Sequence, residues 1–452
     1  MAQQRDVDVC VVGAGYAGLT AARRLAQAGR SVAVLEAQDR VGGRIWTEAR
    51  EGGWAVDRGG AWLAPYHDAI FGLAREVGVS TYKTWVKGAH LLVGDGRIRR
   101  YTGLIPKISP WAVATIALNQ ARIDRLARQV PLDAPWTAAK AAAWDTRSVS
   151  SFLEGTRIPS GIARDLFDMA VRGLFASDLN EVSFLHLLAL VHGHHSIGKL
   201  FGIEGGAQEN LVDGGAGAIA ARMAADLGHA LHLNSPVRAI RQRDDHVVVE
   251  AADITVAAPH AVVATPPALS LGIEFDPPLP TDRRTLYEHS VGGVETKTLI
   301  VYDTPFWRDA GFSGQTADPG SAAEVTIDAT PAAGTPGVIA SFTFGAVAER
   351  FDAMDEAGRR RAVLDALANR FGPRATTPID YVATSWWTEP WTRGCSMAHL
   401  PPGILTRYGP LIRQPFERVH WAGTETSTIS HGAIDGAVRS GERAAAEILG
   451  RA

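Results

Sequence analysis

The first 36 residues show a strand–helix–strand pattern of hydrophobic positions. A β-branched run at 7–12 predicts a short strand that is buried on both faces. Small apolar residues then recur at helical spacing through 17–28, and a second apolar run at 31–35 predicts another strand. The chain therefore opens with two strands joined by a helix.

Later segments show clear periods as well. Apolar positions predict a strand over 231–237, a hairpin from 247–251 and 254–257, and a strand over 294–302 with one lysine at its centre. An amphipathic helix is predicted over 353–371, followed by a strand over 380–385. Strands and helices thus alternate along the whole chain, as in an α/β protein.

The first strand is followed by Gly13, Gly15 and Gly18 in the order G-x-G-x-x-G. The first glycine permits a tight turn, the second lets the backbone approach a pyrophosphate, and the third lets helix and strand pack closely. Unpaired N–H groups at the helix start favour phosphate. Glu36 follows at about the 20-residue spacing at which an acid reaches a ribose hydroxyl. Together these features predict a dinucleotide site.

Two glycine pairs with arginines follow, DRVGGR at 39–44 and DRGGAW at 57–62. Such segments suit a backbone that lies against a large planar cofactor and its phosphates. The sequence here resembles the flavin amine oxidases, the monoamine oxidase family. The resemblance implies FAD as cofactor, with the segment that ends at Arg44 passing the phosphates and Gly60 approaching the flavin.

Length and composition limit the other classes of function. A chain of 452 residues has room for more than one domain. Its net charge of −3, from 45 basic and 48 acidic residues, creates no field that favours nucleic acid or an acidic membrane. The first ten residues lack the apolar core of a signal peptide, and no apolar stretch is long enough to span a membrane. Two cysteines in a chain of this length do not indicate a disulfide framework. We therefore expect a cytoplasmic protein without nucleic-acid or membrane partners.

The histidines in V-H-G-H-H at 191–195 invite comparison with metal sites. Their spacing surrounds a glycine, and no cysteine or acid cluster lies nearby to complete a ligand set. We predict no metal there.

The resemblance extends over nearly the whole chain and implies an α/β fold. A Rossmann-like FAD-binding domain (GR2 type) is expected from 1–80, 210–285 and 390–452. It is interleaved with a mixed-sheet plus helical substrate domain from 81–209 and 286–389. Whether the chain is a monomer or a homodimer stays open.

Several family positions can be carried over to this chain. Gln208 matches a glutamine that faces the substrate cavity, and Val237 matches a backbone contact to adenine. Lys297 matches a lysine that reaches the flavin through a water, where a cation would stabilise developing negative charge; a lysine on a half-exposed strand is the alternative. Trp386 matches an aromatic beside the flavin, although core packing explains it equally well.

The C-terminal third carries the remaining matches. Cys395 falls on the cysteine that a thioether joins to the flavin ring in monoamine oxidases; a free thiol beside the ring is the alternative, because many bacterial relatives lack the link. Gly423 and Glu425 match a G-T-E motif, whose acid is expected to accept hydrogen bonds from cofactor hydroxyls. Ala433 opens the last helix, whose N-terminus would favour the anionic reduced ring.

The chain departs from the family where two tyrosines normally cage the substrate amine. Ser396 and Ala433 occupy those two positions, so the freed space suits a bulkier or alicyclic substrate. His431 lies next to this space and is a candidate polar contact or base, although a loop histidine is more often structural.

The resemblance implies that a carbon–nitrogen bond of a hydrophobic amine is oxidised by hydride loss from an uncharged amine. Oxygen is then reduced to hydrogen peroxide, and no protein acid or base is required. Two alternatives remain. A desaturase of a cyclic ketone would need a base such as His431, and an L-amino acid oxidase would need an arginine clamp on the carboxylate, for which Arg172 is the candidate.

Overall fold

The computed structural model describes residues 3–103, 106, 108–156, 158 and 161–450. Strands and helices are numbered along this part of the chain. The strands are β1 (Gln3–Asp6), β2 (Val9–Val12), β3 (Val32–Leu35), β4 (Thr47–Ala49), β5 (Ala55–Asp57), β6 (Thr81–Lys83), β7 (Ala89–Gly94), β8 (Arg97–Tyr101), β9 (Asn210–Val212), β10 (Leu231–His232), β11 (Val237–Gln242), β12 (Val247–Ala251), β13 (Ile254–Ala258), β14 (His260–Val263), β15 (Glu274–Asp276), β16 (Val291–Gly292), β17 (Glu295–Tyr302), β18 (Phe312–Ala317), β19 (Val325–Asp328), β20 (Gly337–Phe344), β21 (Asp380–Ser385), β22 (Ala398–His399) and β23 (Val419–Trp421). The α-helices are α1 (Tyr16–Gln27), α2 (Asp68–Glu76), α3 (Pro110–Ala127), α4 (Ala141–Asp145), α5 (Val149–Glu154), α6 (Ile162–Phe175), α7 (Phe184–Gly193), α8 (Ile197–Phe201), α9 (Gly217–Leu227), α10 (Pro267–Ser270), α11 (Thr281–Glu288), α12 (Phe306–Asp309), α13 (Gly345–Asp352), α14 (Glu356–Phe371), α15 (Ile404–Tyr408) and α16 (Ile434–Ile448).

A five-stranded parallel sheet with the order β10-β3-β2-β14-β23 forms the base of the nucleotide-binding part. Both β2 and β3 are buried along their full length, as their β-branched runs predict. Helix α1 leaves β2 through the glycine turn. A Cβ at Gly18 would lie 1.9 Å from the carbonyl oxygen of Gly13, so glycine is required for this close helix–strand packing.

Two predicted boundaries are wrong. The apolar run at 231–237 is not one strand: β10 ends at His232, Asn234 has a φ of +54°, and β11 starts at Val237 in a different sheet. The turn formed by Asn234, Ser235 and Pro236 separates the two strands. The helix predicted from 353 begins at Glu356, because the side chain of Asp355 caps the backbone N–H of Gly358.

The second large sheet is mixed and has seven strands in the order β21-β17-β20-β19-β18-β7-β8. Its strand β17 pairs with β20 and β21 and is buried at all eight positions. Helix α6 packs on β20, and α3 packs on α6 and α7. This layer faces the parallel sheet across the main cavity.

All strands of the parallel sheet come from the segments expected to form the FAD-binding domain, and all strands of the seven-stranded sheet come from those expected to form the substrate domain. We retain this domain division as a proposal; it includes residues 1–2, 104–105, 107, 157, 159–160 and 451–452, which lie outside the described residues. Two pairings cross its boundaries, since β6 pairs with β9 and β16 pairs with β22, each as a two-stranded sheet. Within the described ranges, no helix is both long enough and apolar enough to cross a bilayer.

Candidate active site

A cavity of about 1590 Å³ lies between the two large sheets. It brings together most of the residues that the sequence singled out. These are Gly13, Gly15, Glu36, Arg44, Gly60, Gln208, Val237, Cys395, Gly423, His431 and Ala433. Four others, namely Gly18, Lys297, Trp386 and Glu425, do not line it.

The nucleotide end of the cavity is formed by the glycine turn and β3. Helix α1 starts after Gly15 without a side-chain cap, so its first N–H groups are free for phosphate. Glu36 accepts hydrogen bonds from the backbone N–H groups of Ala14 (2.6 Å) and Gln38 (2.9 Å). Val237 lines the same cavity at the start of β11. This open helix end beside a fixed carboxylate fits the pyrophosphate and ribose of a dinucleotide.

Arg44 and Glu425 form a bidentate ion pair in which the carboxylate is buried and the guanidinium is partly exposed. The guanidinium Nη1 and Nη2 atoms donate to the two carboxylate oxygens at 2.6 and 3.0 Å, and Nη1 also donates to the carbonyl of Ser396 at 2.9 Å. The N–H of Ala398 donates to the same carboxylate. Although desolvation opposes it, Arg44 lowers the pKa of Glu425 to about 2.

The expectation that Glu425 contacts cofactor hydroxyls stays a prediction. In the structure its carboxylate accepts three hydrogen bonds, two from Arg44 and one from the N–H of Ala398, and Glu425 lines a smaller neighbouring cavity. Glu425 thereby holds Arg44 at the wall of the main cavity.

Lys297 lies one layer behind the wall. Its Nζ donates to the carbonyl of Gly59 at 2.7 Å, and Gly59 itself lines the cavity. Burial lowers the pKa of Lys297 to about 8, while the nearby carboxylates of Asp57 and Glu295 oppose that shift. The side chain is 2% exposed, so the half-exposed alternative is wrong.

Trp386 also lies behind the wall and not beside the cavity. Its Nε1 donates to the carbonyl of Arg58 at 3.0 Å, and a Cβ at Gly59 would come within 2.9 Å of its ring. This position agrees with core packing, the alternative interpretation of Trp386, because the ring is buried and supports the segment with Gly59 and Gly60.

His431 lines the cavity, but both ring nitrogens are occupied. His186 accepts from the N–H of Leu400 through Nδ1, so its Nε2 carries the proton and faces the Nε2 of His431 at 3.4 Å. The other nitrogen of His431 bonds to the backbone of Ser427, and desolvation lowers its pKa. A base needs a free lone pair, so this geometry favours the structural interpretation.

The remaining predicted residues lie on the walls around the centre of the cavity. Cys395 is buried and unpaired, and burial raises its thiol pKa. The side-chain amide of Gln208 approaches the carbonyl of Leu200 at 3.5 Å. Ala433 is the N-cap of α16, which has no side-chain cap and so directs free N–H groups towards the cavity. Ser396 lies on the same wall.

Sequence reasoning missed the aromatic walls and one acid. Trp62, Phe342, Phe344 and Trp391 line the cavity, and so does the buried carboxyl of Glu295. The acid had a visible signal, because it interrupts the same apolar strand as Lys297 two positions earlier. The aromatic residues had none, since an apolar side chain fits a core or a cavity wall equally well.

The histidines at 191–195 serve packing and hydrogen bonding. His192 bonds to the carbonyl of Val130 at 2.7 Å, and His194 bonds to the carbonyl of His431 at 2.9 Å. The described part of the chain contains no group of three or more His, Cys, Asp or Glu side chains placed to hold a metal ion.

Comparison with known proteins shows the family to which the chain belongs. The family model for flavin-containing amine oxidoreductases matches residues 16–449. The chain belongs to this family. It is accordingly a flavin-dependent oxidoreductase whose cofactor is FAD.

Individual relatives of this family cover nearly the same length. The chain is 40% identical to a putative flavin-containing monoamine oxidase, AofH, of Mycobacterium tuberculosis over 98% of this chain and 96% of that protein. Among solved structures, putrescine oxidase bound to putrescine aligns with a TM-score of 0.95 at 32% identity, covering 99% of this chain and 100% of that one. Cyclohexylamine oxidase from Brevibacterium oxydans aligns with a TM-score of 0.93 at 33% identity, covering 98% and 99%.

Proposed function

We propose that the enzyme oxidises the carbon–nitrogen bond of a hydrophobic, bulky or alicyclic amine, with oxygen reduced to hydrogen peroxide. The observation that carries this proposal is the apolar wall of the cavity beyond the residues that would hold FAD. That wall includes Val113, Ile116, Phe167, Leu174, Ile327 and Phe344. Ser396 and Ala433 add space where the family's tyrosines would stand.

FAD, when bound, supplies the acceptor for the hydride that leaves the carbon next to nitrogen. The glycine turn and Glu36 would hold its nucleotide half, and Arg44 would lie against its phosphate side. The uncapped start of α16 offers partial positive charge where the reduced ring becomes anionic. The apolar walls exclude water and orient the substrate.

The geometry favours neither alternative. A ketone desaturase needs a base, and the candidate His431 has both ring nitrogens engaged. An L-amino acid oxidase needs an arginine facing the substrate. Arg172 instead donates to the buried carboxylate of Glu324 at 2.5 Å and does not line the cavity.

A product assay in air tests the proposed function. The FAD-loaded enzyme is incubated with cyclohexylamine, benzylamine, putrescine, an L-amino acid and a cyclohexanone. Equal amounts of carbonyl product and peroxide from a hydrophobic amine support the proposal. An unsaturated ketone, or a keto acid as the dominant product, contradicts it.

Substrate size is expected to depend on Ala433. We predict that Ala433→Tyr lowers kcat/KM for bulky amines by about tenfold or more, because the phenol fills the space where the substrate ring lies. Small linear amines should lose less. Ser427→Ala, a matched change in the adjoining loop, should leave the ratio unchanged. An unaltered preference in Ala433→Tyr would show that this position does not limit the substrate.

We propose that Cys395 forms a thioether with the flavin. Support comes from its place on the cavity wall near Arg44 and Ser396. Forming the bond would break the S–H bond of Cys395 and a C–H bond of the flavin's methyl group. The two electrons released would go to the bound FAD, which oxygen would then reoxidise. Acid-precipitated enzyme should stay yellow, and Cys395→Ala should release all its FAD into the supernatant. A colourless pellet from the unaltered enzyme contradicts the link.

A further inference from the structure

Glu295 differs from the other buried glutamates of the described chain. Each of those accepts at least two hydrogen bonds. Glu36 is held by the N–H groups of Ala14 and Gln38, Glu324 by Arg172 and the N–H groups of Gly320 and Phe344, and Glu425 by Arg44 and the N–H of Ala398. Glu295 is 8% exposed, and no described residue donates to its carboxyl. A buried carboxyl without a partner is costly unless a ligand supplies one.

The carboxyl oxygens of Glu295 are not sealed off from the cavity, so a water or a ligand there can supply the partner. Three carboxylates line the cavity in the described part of the chain: Glu36 lies at the nucleotide end, Glu204 is exposed, and Glu295 is buried. Across the sheet, Glu295 pairs with Phe344, and a Cβ at Gly173 of α6 would come within 3.2 Å of that ring. The carboxyl therefore lies in apolar surroundings at the substrate side.

Few charged groups act on this carboxyl. Lys297 lies two residues along the same strand, but its ammonium donates to the carbonyl of Gly59. Cys395 faces Glu295 from the 390–397 loop, and beyond these lie Asp57 and Arg44. Burial raises the pKa of Glu295 to about 7, and Lys297 opposes that rise. The group is thus a carboxylate above neutral pH and a neutral acid below it.

We propose that Glu295 receives the substrate as an ammonium ion and takes its proton, which leaves the neutral amine in the cavity. In this step an N–H bond breaks, an O–H bond forms on the carboxylate, and the electron pair remains on nitrogen. No oxidant is involved. The inference rests on the proposed amine oxidation, and adds a proton acceptor that the family resemblance does not require.

The step has a clear physical reason. Alkylamines are ammonium ions at neutral pH, and an ammonium nitrogen has no lone pair to assist hydride loss. Moving that cation alone into an apolar cavity is unfavourable. A carboxylate inside the cavity attracts the cation, and apolar surroundings favour the neutral acid–amine pair over two buried charges.

Calorimetry with an amine that cannot be oxidised tests the inference on the FAD-loaded enzyme. The probe is 2-phenyl-2-propylamine, which has no hydrogen on the carbon next to nitrogen. Titrations in buffers of different ionisation enthalpy give the number of protons released on binding. We expect about one proton at about pH 5.5, where Glu295 is already protonated, and about none at about pH 8.5.

Variants assign that pH dependence to one residue. Glu295→Gln should remove the change in proton number between the two pH values, and should weaken ammonium binding at the higher pH by about tenfold to a hundredfold. The matching alcohol, 2-phenyl-2-propanol, should bind both forms alike. Glu295→Asp should restore the pH-dependent proton number. Glu204→Gln, which removes the exposed carboxylate of the cavity, should behave like the unaltered enzyme.

Infrared difference spectra separate proton transfer from simple ion pairing. At the higher pH, binding of the probe should produce a protonated-carboxyl band that is absent in Glu295→Gln. A carboxylate band that persists, or a proton number that is the same in Glu295→Gln and the unaltered enzyme, overturns the inference. If Glu295→Gln does not fold, the spectra of the unaltered enzyme and Glu295→Asp decide. A negative result in these experiments would contradict only the proton transfer to Glu295, because the product assay tests amine oxidation separately.

Discussion

Lys297→Met is expected to slow the reaction of the reduced enzyme with oxygen by about a hundredfold, the scale on which removal of one preorganised charge affects catalysis. The ammonium lies behind Gly59 in a dry layer, where its field is weakly screened. Its positive charge acts on the carboxyl groups of both Asp57 and Glu295. Its loss removes stabilisation of the negative charge that builds on oxygen. Stopped-flow mixing of reduced enzyme with oxygenated buffer measures the effect.

A control separates this effect from a loss of net charge. Lys83→Met removes a lysine whose side chain is 77% exposed and pairs with Glu209 at the surface. It should leave the oxygen reaction unchanged. If the reduced Lys297→Met enzyme reacts with oxygen at the normal rate, Lys297 has no part in that step and acts only on its protein neighbours Gly59, Asp57 and Glu295.

Glu425→Gln is expected to lower the free energy of unfolding by about 3 kcal/mol at neutral pH and to weaken FAD retention. The pKa of Glu425 is about 2 in the folded chain, below the 4.5 of a free glutamate. A depressed pKa contributes stability that is present above the unfolded value and is lost as pH falls through the folded one. Since 1.36 kcal/mol corresponds to one pKa unit, the pair contributes about 3 kcal/mol.

Urea unfolding at several pH values measures this contribution. The difference between Glu425→Gln and the unaltered enzyme should shrink as pH falls from about 4.5 towards about 2. Glu442→Gln breaks a more exposed pair with Arg24 and should change stability by less than about 1 kcal/mol. Equal effects of the two substitutions would contradict a special role for the Arg44–Glu425 pair.

The sequence predicted the nucleotide-binding part well because its requirements are local. The spacing of Gly13, Gly15, Gly18 and Glu36 follows from one turn and one helix start, and the structure places them accordingly. The active-site wall is harder to predict because it depends on which face of a buried element meets empty space. Trp386 and Trp391 are near neighbours in the same segment, yet Trp391 and not Trp386 lines the cavity.

The catalytic roles and the contacts to the flavin itself could be predicted only from resemblance, and resemblance misses what is particular to this chain. Glu425 matched a motif, but its three hydrogen bonds with Arg44 and the N–H of Ala398 were not readable from it. Glu295 matched no motif, although a charge inside an all-buried strand was readable from the sequence. The number of hydrogen bonds that each carboxyl accepts from the described residues distinguishes these two acids, and it becomes visible only in three dimensions.

The central claim is that the cavity oxidises hydrophobic amines, and anaerobic mixing tests it most directly. The FAD-loaded enzyme is mixed without oxygen with cyclohexylamine and, separately, with cyclohexanone, while the yellow flavin absorbance is followed. We predict rapid bleaching by the amine, recovery of colour with release of peroxide when air is admitted, and no bleaching by the ketone. Bleaching by the ketone alone would contradict amine oxidation and make the enzyme a desaturase.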